Sequence, residues 1–303
     1  MSYDAATIRQ LNALTSEFYA REATSFSATR QSPWHGWERA WDTIVAADPA
    51  FAARALSVLD LGCGNLRFER FLAERTTGPL AVTAIDNCAP LVKGSRQPAS
   101  NPAPPNAAGR QCTFADNPEN ATPPHAEEGP AARRPVAVDF RHIDIVKSLL
   151  EDALADYLPR STCDLAVAFG LMHHLPTLAL RARVLQELIS ALRPGGFAIV
   201  SFWQFLNDPR LAAKAQATTA EGRAERGLPP FRENDFLLGW QETQHIYRFC
   251  HHAPDSEIDA LLATAERELA RAGSPDPAFR EVTRFSADGK AGNLNRYVVL
   301  QRA

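Results

Sequence analysis

The chain has 303 residues, of which 45% are hydrophobic and 22% charged, and its formal net charge is -3. This composition is typical of a globular protein with a buried core, and the charge argues against a globally basic nucleic-acid binder. The apolar runs are too short to span a bilayer, and the first residues form no signal segment. We therefore expect a cytoplasmic protein without a membrane role. Five cysteines without a C-x-x-C pair indicate neither a disulfide framework nor a zinc knuckle.

The N-terminal 50 residues predict a helical cap. Residues 4–20 place apolar side chains at helical spacing, and residues 26–41 form an aromatic-rich lid whose tryptophans we expect to be packing residues. Arg30 stands in this lid, ahead of the first predicted strand. Because a guanidinium binds carboxylates well, Arg30 is a candidate for holding an acidic group above a bound ligand. Residues 51–303 would then form the main domain.

Residues 58–65, with the sequence VLDLGCGN, predict an apolar strand that runs into Asp60 and a turn containing Gly62 and Gly64. Glycines allow a tight turn and a close approach of an adenosine-bearing ligand to the backbone, and the helix predicted from residue 66 to 75 directs its N-terminal amides there. A dinucleotide-binding fingerprint would have a third glycine at position 67, where this chain has Arg67. The spacing therefore argues against NAD.

The next two strands also end in acids. Residues 80–85 predict a strand ending at Asp86, where a carboxylate can hold ribose hydroxyls, and Asn87 would assist it. Residues 95–135 are rich in proline and poor in large apolar residues, so we expect a mostly disordered insertion. Residues 136–144 then predict a third strand ending at Asp144, followed by a helix to residue 158.

The apolar run at residues 163–170 predicts a central strand buried on both faces, and His173 and His174 follow it directly. Because no carboxylate stands at ligand spacing, we expect no metal and interpret this pair as substrate-facing or loop-bracing. A substrate-side insertion is expected at about residues 205–252, with Arg248 and His251 in a late loop. The remaining predicted elements are helices over 177–192 and 255–272 and strands over 197–203, 281–286 and 296–301.

The motif from Asp60 to Gly64 resembles the first motif of class I S-adenosylmethionine-dependent methyltransferases, although Leu66 stands where that motif often has a further glycine. The turn at residues 192–196 is also shared with this class. The resemblance implies an α/β fold, with a Rossmann-like seven-stranded mostly parallel sheet, helices on both faces and a C-terminal antiparallel hairpin. It implies S-adenosyl-L-methionine as cofactor, with Asp144 and Ile145 on the adenine side. The expected cofactor-binding residues are Asp60, Gly62, Cys63, Gly64, Asp86, Asn87, Asp144, Ile145 and Phe169.

Through several further residues, the chain resembles the family of tRNA wobble-uridine carboxymethyl methyltransferases and its bacterial relatives. These residues are Phe26, Thr29, Arg30, Trp34, residues 60–65, His173, His174, Leu175, Trp203, Arg248 and His251. This resemblance implies methylation of a carboxymethyl group, with tRNA as partner and, in eukaryotes, a small activating protein. The expected catalytic residues are Arg30, His174, Arg248 and His251. Trp34 and Trp240 could grip unstacked anticodon bases.

The residue types agree with an oxygen acceptor. A carboxylate is already a nucleophile at neutral pH, so its methylation requires alignment and cations rather than a general base. A hydroxyl or amine acceptor would require a base, and a histidine could serve. Three alternatives stay open: a small-molecule methyltransferase acting on a carboxylate or phenol, a catalytically silent binding subunit with the same fold, and RNA binding without chemistry.

Overall fold

The structure is a computed structural model that describes residues 3–93, 110–112, 136–241, 243–274 and 277–303. Within these residues the strands are β1 (Leu56–Leu61), β2 (Leu80–Asp86), β3 (Arg110–Cys112), β4 (Val136–His142), β5 (Cys163–Ala168), β6 (Leu192–Trp203), β7 (Asp235–Trp240), β8 (Thr243–His251), β9 (Phe279–Ala287) and β10 (Asn295–Arg302). The α-helices are α1 (Ala5–Ala28), α2 (His35–Ala47), α3 (Arg67–Arg75), α4 (Ala89–Lys93), α5 (Ile145–Leu150), α6 (Leu178–Ala191), α7 (Pro209–Arg226) and α8 (Asp255–Arg271).

The main sheet has the strand order β3-β4-β2-β1-β5-β6-β10-β9, and β7 and β8 form a separate antiparallel pair. Five neighbouring strands of this sheet, β4, β2, β1, β5 and β6, are parallel to one another. The C-terminal strands β9 and β10 pair antiparallel with each other, and β10 also pairs antiparallel with β6. The expected seven-stranded Rossmann-like sheet with its C-terminal hairpin is therefore confirmed. The short strand β3 adds an eighth, antiparallel strand beside β4.

Helices cover both faces of this sheet because its central strands are buried on both sides. Along β1, Val58 packs into a cluster with Trp37 of α2 and residues of α3, whereas Leu59 packs into another with α5, α6 and α8. Successive strand residues point to opposite faces, so neighbouring residues of one strand supply both cores. The carboxyl ends of the parallel strands are left for the loops that form the site.

Helix α1 and the β7–β8 hairpin stand together over one end of the sheet. Leu11 and Leu14 of α1 pack with Tyr247 and Phe249 of β8, and Thr15 accepts a hydrogen bond from the amide of Phe249 at 3.1 Å. The first helix predicted from sequence ends at residue 20, but α1 continues to Ala28. Phe26, which was expected in the lid, therefore belongs to the helix and not to a loop.

Two other predicted boundaries are wrong. Strand β4 ends at His142, and Asp144 instead caps α5 by accepting the amide of Lys147. Helix α5 stops at Leu150 rather than continuing to residue 158, because Asp152 takes a left-handed backbone conformation with φ of 54°. A 3-10 turn over Leu154–Tyr157 follows.

The region expected to carry the substrate-side insertion is more regular than its sequence indicates. The polar segment after residue 207 forms α7, which Asp208 caps at its start and Gly227 ends with φ of 59°. Arg248 and His251, expected in a loop, lie on β8. Their strand was missed because six successive residues at its end are buried, which removes the alternation that marks a half-buried strand.

The predicted disordered insertion at 95–135 lies outside the described residues, except for Arg110–Cys112, which form β3. A division between a cap and a main domain at residue 50 stays a prediction. No helix in the described ranges has the length and hydropathy that a membrane span requires.

Candidate active site

A cavity of about 700 Å³ opens at the carboxyl ends of the parallel strands, within the size range of small-molecule and cofactor sites. Its lining comes from the segments that follow β1, β2, β4 and β5, together with α1, the loop before α2 and β8. All nine residues expected on the cofactor side line it: Asp60, Gly62, Cys63, Gly64, Asp86, Asn87, Asp144, Ile145 and Phe169. Asp60, Asp86 and Asp144, the acids expected at the ends of neighbouring strands, therefore line one shared cavity.

The turn after β1 takes the backbone conformation that its glycines allow. Gly62 has φ of 83° and Gly64 has φ of 57°. A Cβ at Gly62 would lie 3.2 Å from Cβ of Leu171, whereas a Cβ at Gly64 would meet no described atom within 4 Å. Because Gly64 lines the cavity, this open space lets a ligand approach its backbone closely.

Leu66 keeps the left-handed conformation that a glycine would adopt at this position, with φ of 55° and ψ of 32°. Its side chain is only 2% exposed and packs among Phe68, Phe71 and neighbouring core residues. The left-handed conformation costs a non-glycine residue about 1–2 kcal/mol. The turn geometry of the motif is therefore present despite the missing glycine.

We predict that Leu66→Gly lowers the free energy of unfolding by about 1–3 kcal/mol. Glycine removes the backbone strain, but loss of a buried leucine side chain costs about 2–5 kcal/mol and outweighs that gain. Urea denaturation of the two proteins measures the difference. A more stable Leu66→Gly protein would show that strain exceeds packing at this position.

Asp86 closes the turn from the end of β2. One carboxylate oxygen accepts the amide of Gly64 at 2.9 Å, and the other accepts the amide of Cys88 at 2.7 Å. Burial raises the pKa of Asp86, while these amide hydrogen bonds lower it. Each carboxylate oxygen of Asp86 keeps a lone pair that can accept a further hydrogen bond, for example from a ribose hydroxyl. The neighbouring Asn87 side chain donates to Ser16 on α1 at 3.0 Å.

Asp144 lines the cavity with both carboxylate oxygens already in use. One oxygen caps α5 through the amide of Lys147 at 2.9 Å, and the other accepts the side-chain amide of Asn12 at 2.8 Å. This residue therefore ties α1 to the loop after β4. The adenine-side role expected for Asp144 stays a prediction.

Asp60 and Glu69 form a buried carboxyl pair below the turn. They are 2% and 0% exposed, and Asp60 lines the cavity. Burial and the neighbouring carboxyl of Glu69 raise the pKa of Asp60 well above its usual range. Burial raises the pKa of Glu69 to about 7. One oxygen of Asp60 and both oxygens of Glu69 find no hydrogen-bond partner among the described residues.

Arg248 is a buried cation in an aromatic cage. Its side chain reaches the cavity from β8, and the residue is 5% exposed. The guanidinium carbon lies 4.5–6.0 Å from the ring centroids of Phe18, Tyr19, Phe26, Trp203 and Trp240. No carboxylate of the described chain pairs with Arg248, and its Nε and Nη1 have no hydrogen-bond partner there. Two donors are therefore available to an anion in the cavity.

Arg30 lies in the same cavity, with its guanidinium carbon 3.5 Å from the ring centroid of Phe26. Burial and the charge of Arg248 lower the pKa of Arg30 to about 10. Neither arginine forms an ion pair within the described ranges. Their mutual repulsion makes this end of the cavity a place where an anion is stabilised.

His174 and Tyr19 form a fixed hydrogen-bond chain. The backbone carbonyl of Phe249 accepts from Nδ1 of His174 at 2.7 Å, so Nδ1 carries the proton. The other nitrogen, Nε2, therefore accepts from the hydroxyl of Tyr19 at 2.9 Å. Burial, followed by the charge of Arg248, lowers the pKa of His174 to about 3. His174 is neutral at physiological pH, and its basic nitrogen is occupied.

His173 also lines the cavity, so both adjacent histidines face it. Burial and His174 lower the pKa of His173 well below its usual range, and its Nδ1 has no described partner. Donor atoms of His173, His174 and Cys250 lie within 4.8 Å of one another. Because both nitrogens of His174 are engaged, two donors remain, fewer than the protein ligands of structural or catalytic zinc.

His251 does not belong to the set of described residues that lines the cavity. Its Nδ1 lies 2.6 Å from Asp235 and its Nε2 lies 2.9 Å from Glu257, which also pairs with Arg181. Both ring nitrogens are thus held by carboxylates, one on β7 of the same hairpin and the other on α8. The structure therefore does not support the expectation that His251 acts on a substrate.

The cavity residues missed from the sequence include Asn12, Thr15 and Tyr19 of α1. They are spaced at i, i+3 and i+7, which places them on one face of a helix. This polar stripe adjoins the apolar stripe that predicted α1, and it was the signal available in the sequence.

A stretch of the chain is 39% identical over 57 residues to tRNA (carboxymethyluridine(34)-5-O)-methyltransferase ALKBH8 of Mus musculus, covering 19% of this chain and 9% of the mouse protein. The Macaca fascicularis protein of the same name is 38% identical over 52 residues, with 17% and 8% coverage. The chain thus matches less than a tenth of the length of these relatives.

A similar fold occurs in the structure of Burkholderia thailandensis 1,6-didemethyltoxoflavin-N1-methyltransferase, determined with 1,6-didemethyltoxoflavin and S-adenosylhomocysteine. The TM-score is 0.52 at 15% identity, and the alignment covers 100% of this chain and 93% of the other. A family described as a methyltransferase domain matches residues 26–263. Since this match spans most of the sequence, the chain belongs to the methyltransferase-domain family.

Proposed function

We propose that this protein is an S-adenosylmethionine-dependent methyltransferase that transfers a methyl group to a carboxylate oxygen of an acidic acceptor. The observation that carries the proposal is Arg248, a buried guanidinium that faces the cavity with two unpartnered nitrogens and forms no ion pair with any carboxylate of the described residues. A buried charge without a partner is costly, so its retention indicates that a ligand supplies the anion.

The residues at the other end of the cavity fit the cofactor. The open space beside Gly64 accommodates a close approach to the backbone, and Asp86 has lone pairs left for two ribose hydroxyls. Asp60 presents an unpartnered oxygen suited to a cationic group. Ile145 and Phe169 supply apolar surface. S-adenosylmethionine is the cofactor, and when bound it supplies an electrophilic methyl group carried on a sulfonium.

The chain's own residues orient and stabilise the acceptor. Arg248 and Arg30 hold the carboxylate by charge-assisted hydrogen bonds, which fix one oxygen for attack. The rings around Arg248 exclude water, which strengthens these electrostatic interactions. The hydroxyl of Tyr19 donates its hydrogen bond to His174, so the Tyr19 oxygen can only accept a hydrogen bond from a ligand. No residue is required to remove a proton, because a carboxylate is already ionised.

The acceptor class follows from this chemistry together with the short match to tRNA carboxymethyluridine methyltransferases. A carboxymethyl group on a wobble uridine is our first candidate, since Trp34 lies at the cavity and could stack a base. A small carboxylic acid is the second candidate, supported by the almost complete burial of Arg248, which suits a compact acid.

A direct experiment separates these acceptors. Purified protein is incubated with methyl-labelled S-adenosylmethionine and either carboxymethyluridine-containing tRNA or a fraction of small acids, and base-labile methyl esters are measured. Label in tRNA supports the first candidate, and label in small acids supports the second. Base-stable label alone would contradict carboxylate methylation, and no label would favour a catalytically silent fold.

We predict that kcat/KM is independent of pH between about 6 and 8.5. His174 has its pKa lowered to about 3 and so stays neutral throughout this range, and ordinary carboxylic acids, with a pKa of about 4, stay ionised. Neither group therefore changes its charge, and Arg30 keeps its own because its pKa is about 10. Initial rates at subsaturating acceptor and saturating S-adenosylmethionine test this, because a saturating cofactor keeps any pH dependence of its own binding out of the measured rate. A rise of tenfold per pH unit would indicate a hydroxyl or amine acceptor that requires a base.

A further inference from the structure

The pair formed by Asp60 and Glu69 requires a proton. Both residues are at least nine-tenths buried, and three of their four carboxylate oxygens find no donor among the described residues. Two ionised carboxylates cannot hydrogen-bond to each other, because both only accept. In contact and without a donor, they would repel strongly in a medium of low dielectric. One proton held between them supplies the missing hydrogen bond and removes half of the charge.

Only one member of this pair reaches the cavity. Asp60 lines the cavity at the end of β1, whereas Glu69, on α3, is not among the lining residues described. A ligand can therefore contact Asp60 directly and Glu69 only through Asp60. The cofactor carries an ammonium on its amino-acid part, and an opposite charge within about 4–6 Å favours the ionised form of a carboxyl group.

We propose that Asp60 and Glu69 share one proton in the free protein and release it to solvent when the ammonium of the cofactor binds beside Asp60. The proposal rests on the proposed function, since it takes the cofactor to be S-adenosylmethionine. In this exchange no covalent bond other than the O–H bond breaks, and the ammonium keeps its own protons. Asp60 contacts the ligand, and Glu69 is a positioning residue that acts through Asp60.

The surrounding charges agree with this exchange. The carboxylate of Asp86 raises the pKa of both members of the pair, and Arg70, on the same helix as Glu69, lowers that of Glu69. Cys63 in the glycine turn stays a neutral thiol, because burial and the neighbouring acids raise its pKa well above its usual range. Since burial raises the pKa of Glu69 to about 7, the shared proton is present at and below neutral pH.

Titration calorimetry with S-adenosylhomocysteine, which carries the same ammonium, tests the proposal. Measured at pH 6 in buffers of different ionisation enthalpy, binding to the wild type should release about one proton. Below pH 7, the affinity should increase about tenfold for each unit by which the pH is raised. Glu69→Gln should release none, because its amide supplies the hydrogen bond permanently. Glu74→Gln, an exposed carboxyl on the same helix, should behave as wild type.

The experiment distinguishes failure of the shared-proton proposal from failure of the proposed function. Normal binding by the wild type without proton release would overturn the shared proton and leave the proposed function intact. No binding by any of the three proteins would overturn the proposed function and, with it, the release step.

The ligand-free protein gives a second readout. The pKa of Glu69 is raised in the folded state, so the stability that the proton contributes is present below about pH 4.5 and is lost as the pH rises through about 7. The stability of the wild type relative to Glu69→Gln should therefore fall over this window in urea denaturation. Parallel curves for the two proteins would overturn the shared proton.

Discussion

Replacing Arg248 by methionine is expected to lower kcat/KM for a carboxylate acceptor by about 10²–10³-fold, the usual effect of removing one group that holds developing or existing charge in an active site. Arg248 has two nitrogens free for the acceptor within the described structure, and the cage of five rings leaves little water to replace them. Arg248→Lys should recover part of the activity, since it keeps the charge but loses the paired donors.

The substitution Arg248→Met should lower activity without lowering the stability of the fold. A buried charge without a partner opposes folding, and methionine is of similar length and packs well against aromatic rings. We therefore expect the thermal midpoint of Arg248→Met to equal or exceed that of the wild type, although some cation–π attraction is lost. Activity lost together with stability would instead assign Arg248 a structural role.

Two controls complete this experiment. S-adenosylhomocysteine should bind Arg248→Met within a few-fold of the wild type, because the role proposed for the arginine is to hold the acceptor and not the cofactor. Arg210→Met removes an exposed arginine of α7 that is not among the cavity residues described, and it should leave kcat/KM unchanged. Retention of more than a tenth of the activity by Arg248→Met would contradict the proposed acceptor site.

Asp86→Ala is expected to weaken S-adenosylhomocysteine binding by about 100-fold or more. Hydrogen bonds to a charged group contribute about 1.5–3 kcal/mol each, and Asp86 has capacity for two ribose hydroxyls besides its two amide partners. The substitution also frees the amides of Gly64 and Cys88, which loosens the glycine turn. Calorimetry measures the affinity directly.

The matched control is Asp156→Ala, which removes an exposed carboxylate that does not belong to the cavity lining of the described chain. It should bind S-adenosylhomocysteine as the wild type does. Unchanged affinity in Asp86→Ala would argue that the cofactor does not use the end of β2, and the cofactor assignment would then lose its main polar contact.

The residues expected on the cofactor side could be placed at one cavity from sequence because their determinants are local. A glycine turn fixes its own backbone conformation, and an acid at the end of a parallel strand must lie at the ligand-binding edge of the sheet. Asp60, Gly64 and Asp86 were accordingly expected where they lie. Even Leu66, where the motif often has a glycine, takes the left-handed conformation, because the surrounding core holds it there.

The acceptor side could not be assigned in the same way, because its determinants are contacts between distant segments. Residue type made Arg248 and His251 equal candidates, three positions apart and both expected in one loop. The hairpin directs Arg248 to the cavity and His251 to Asp235 and Glu257, and only the packing of β8 against α1 and α8 decides between them.

Local sequence therefore determined the parallel sheet, its glycine turn and the acids at its edge, since periodicity and backbone preference act over a few residues. Tertiary structure alone decided which cation remains unpaired, which histidine nitrogen is occupied and which carboxyl lies behind Asp60. The physical reason is that burial and pairing depend on every segment that surrounds a group, and around Arg248 and His174 such segments, α1 and β8, come from distant parts of the chain.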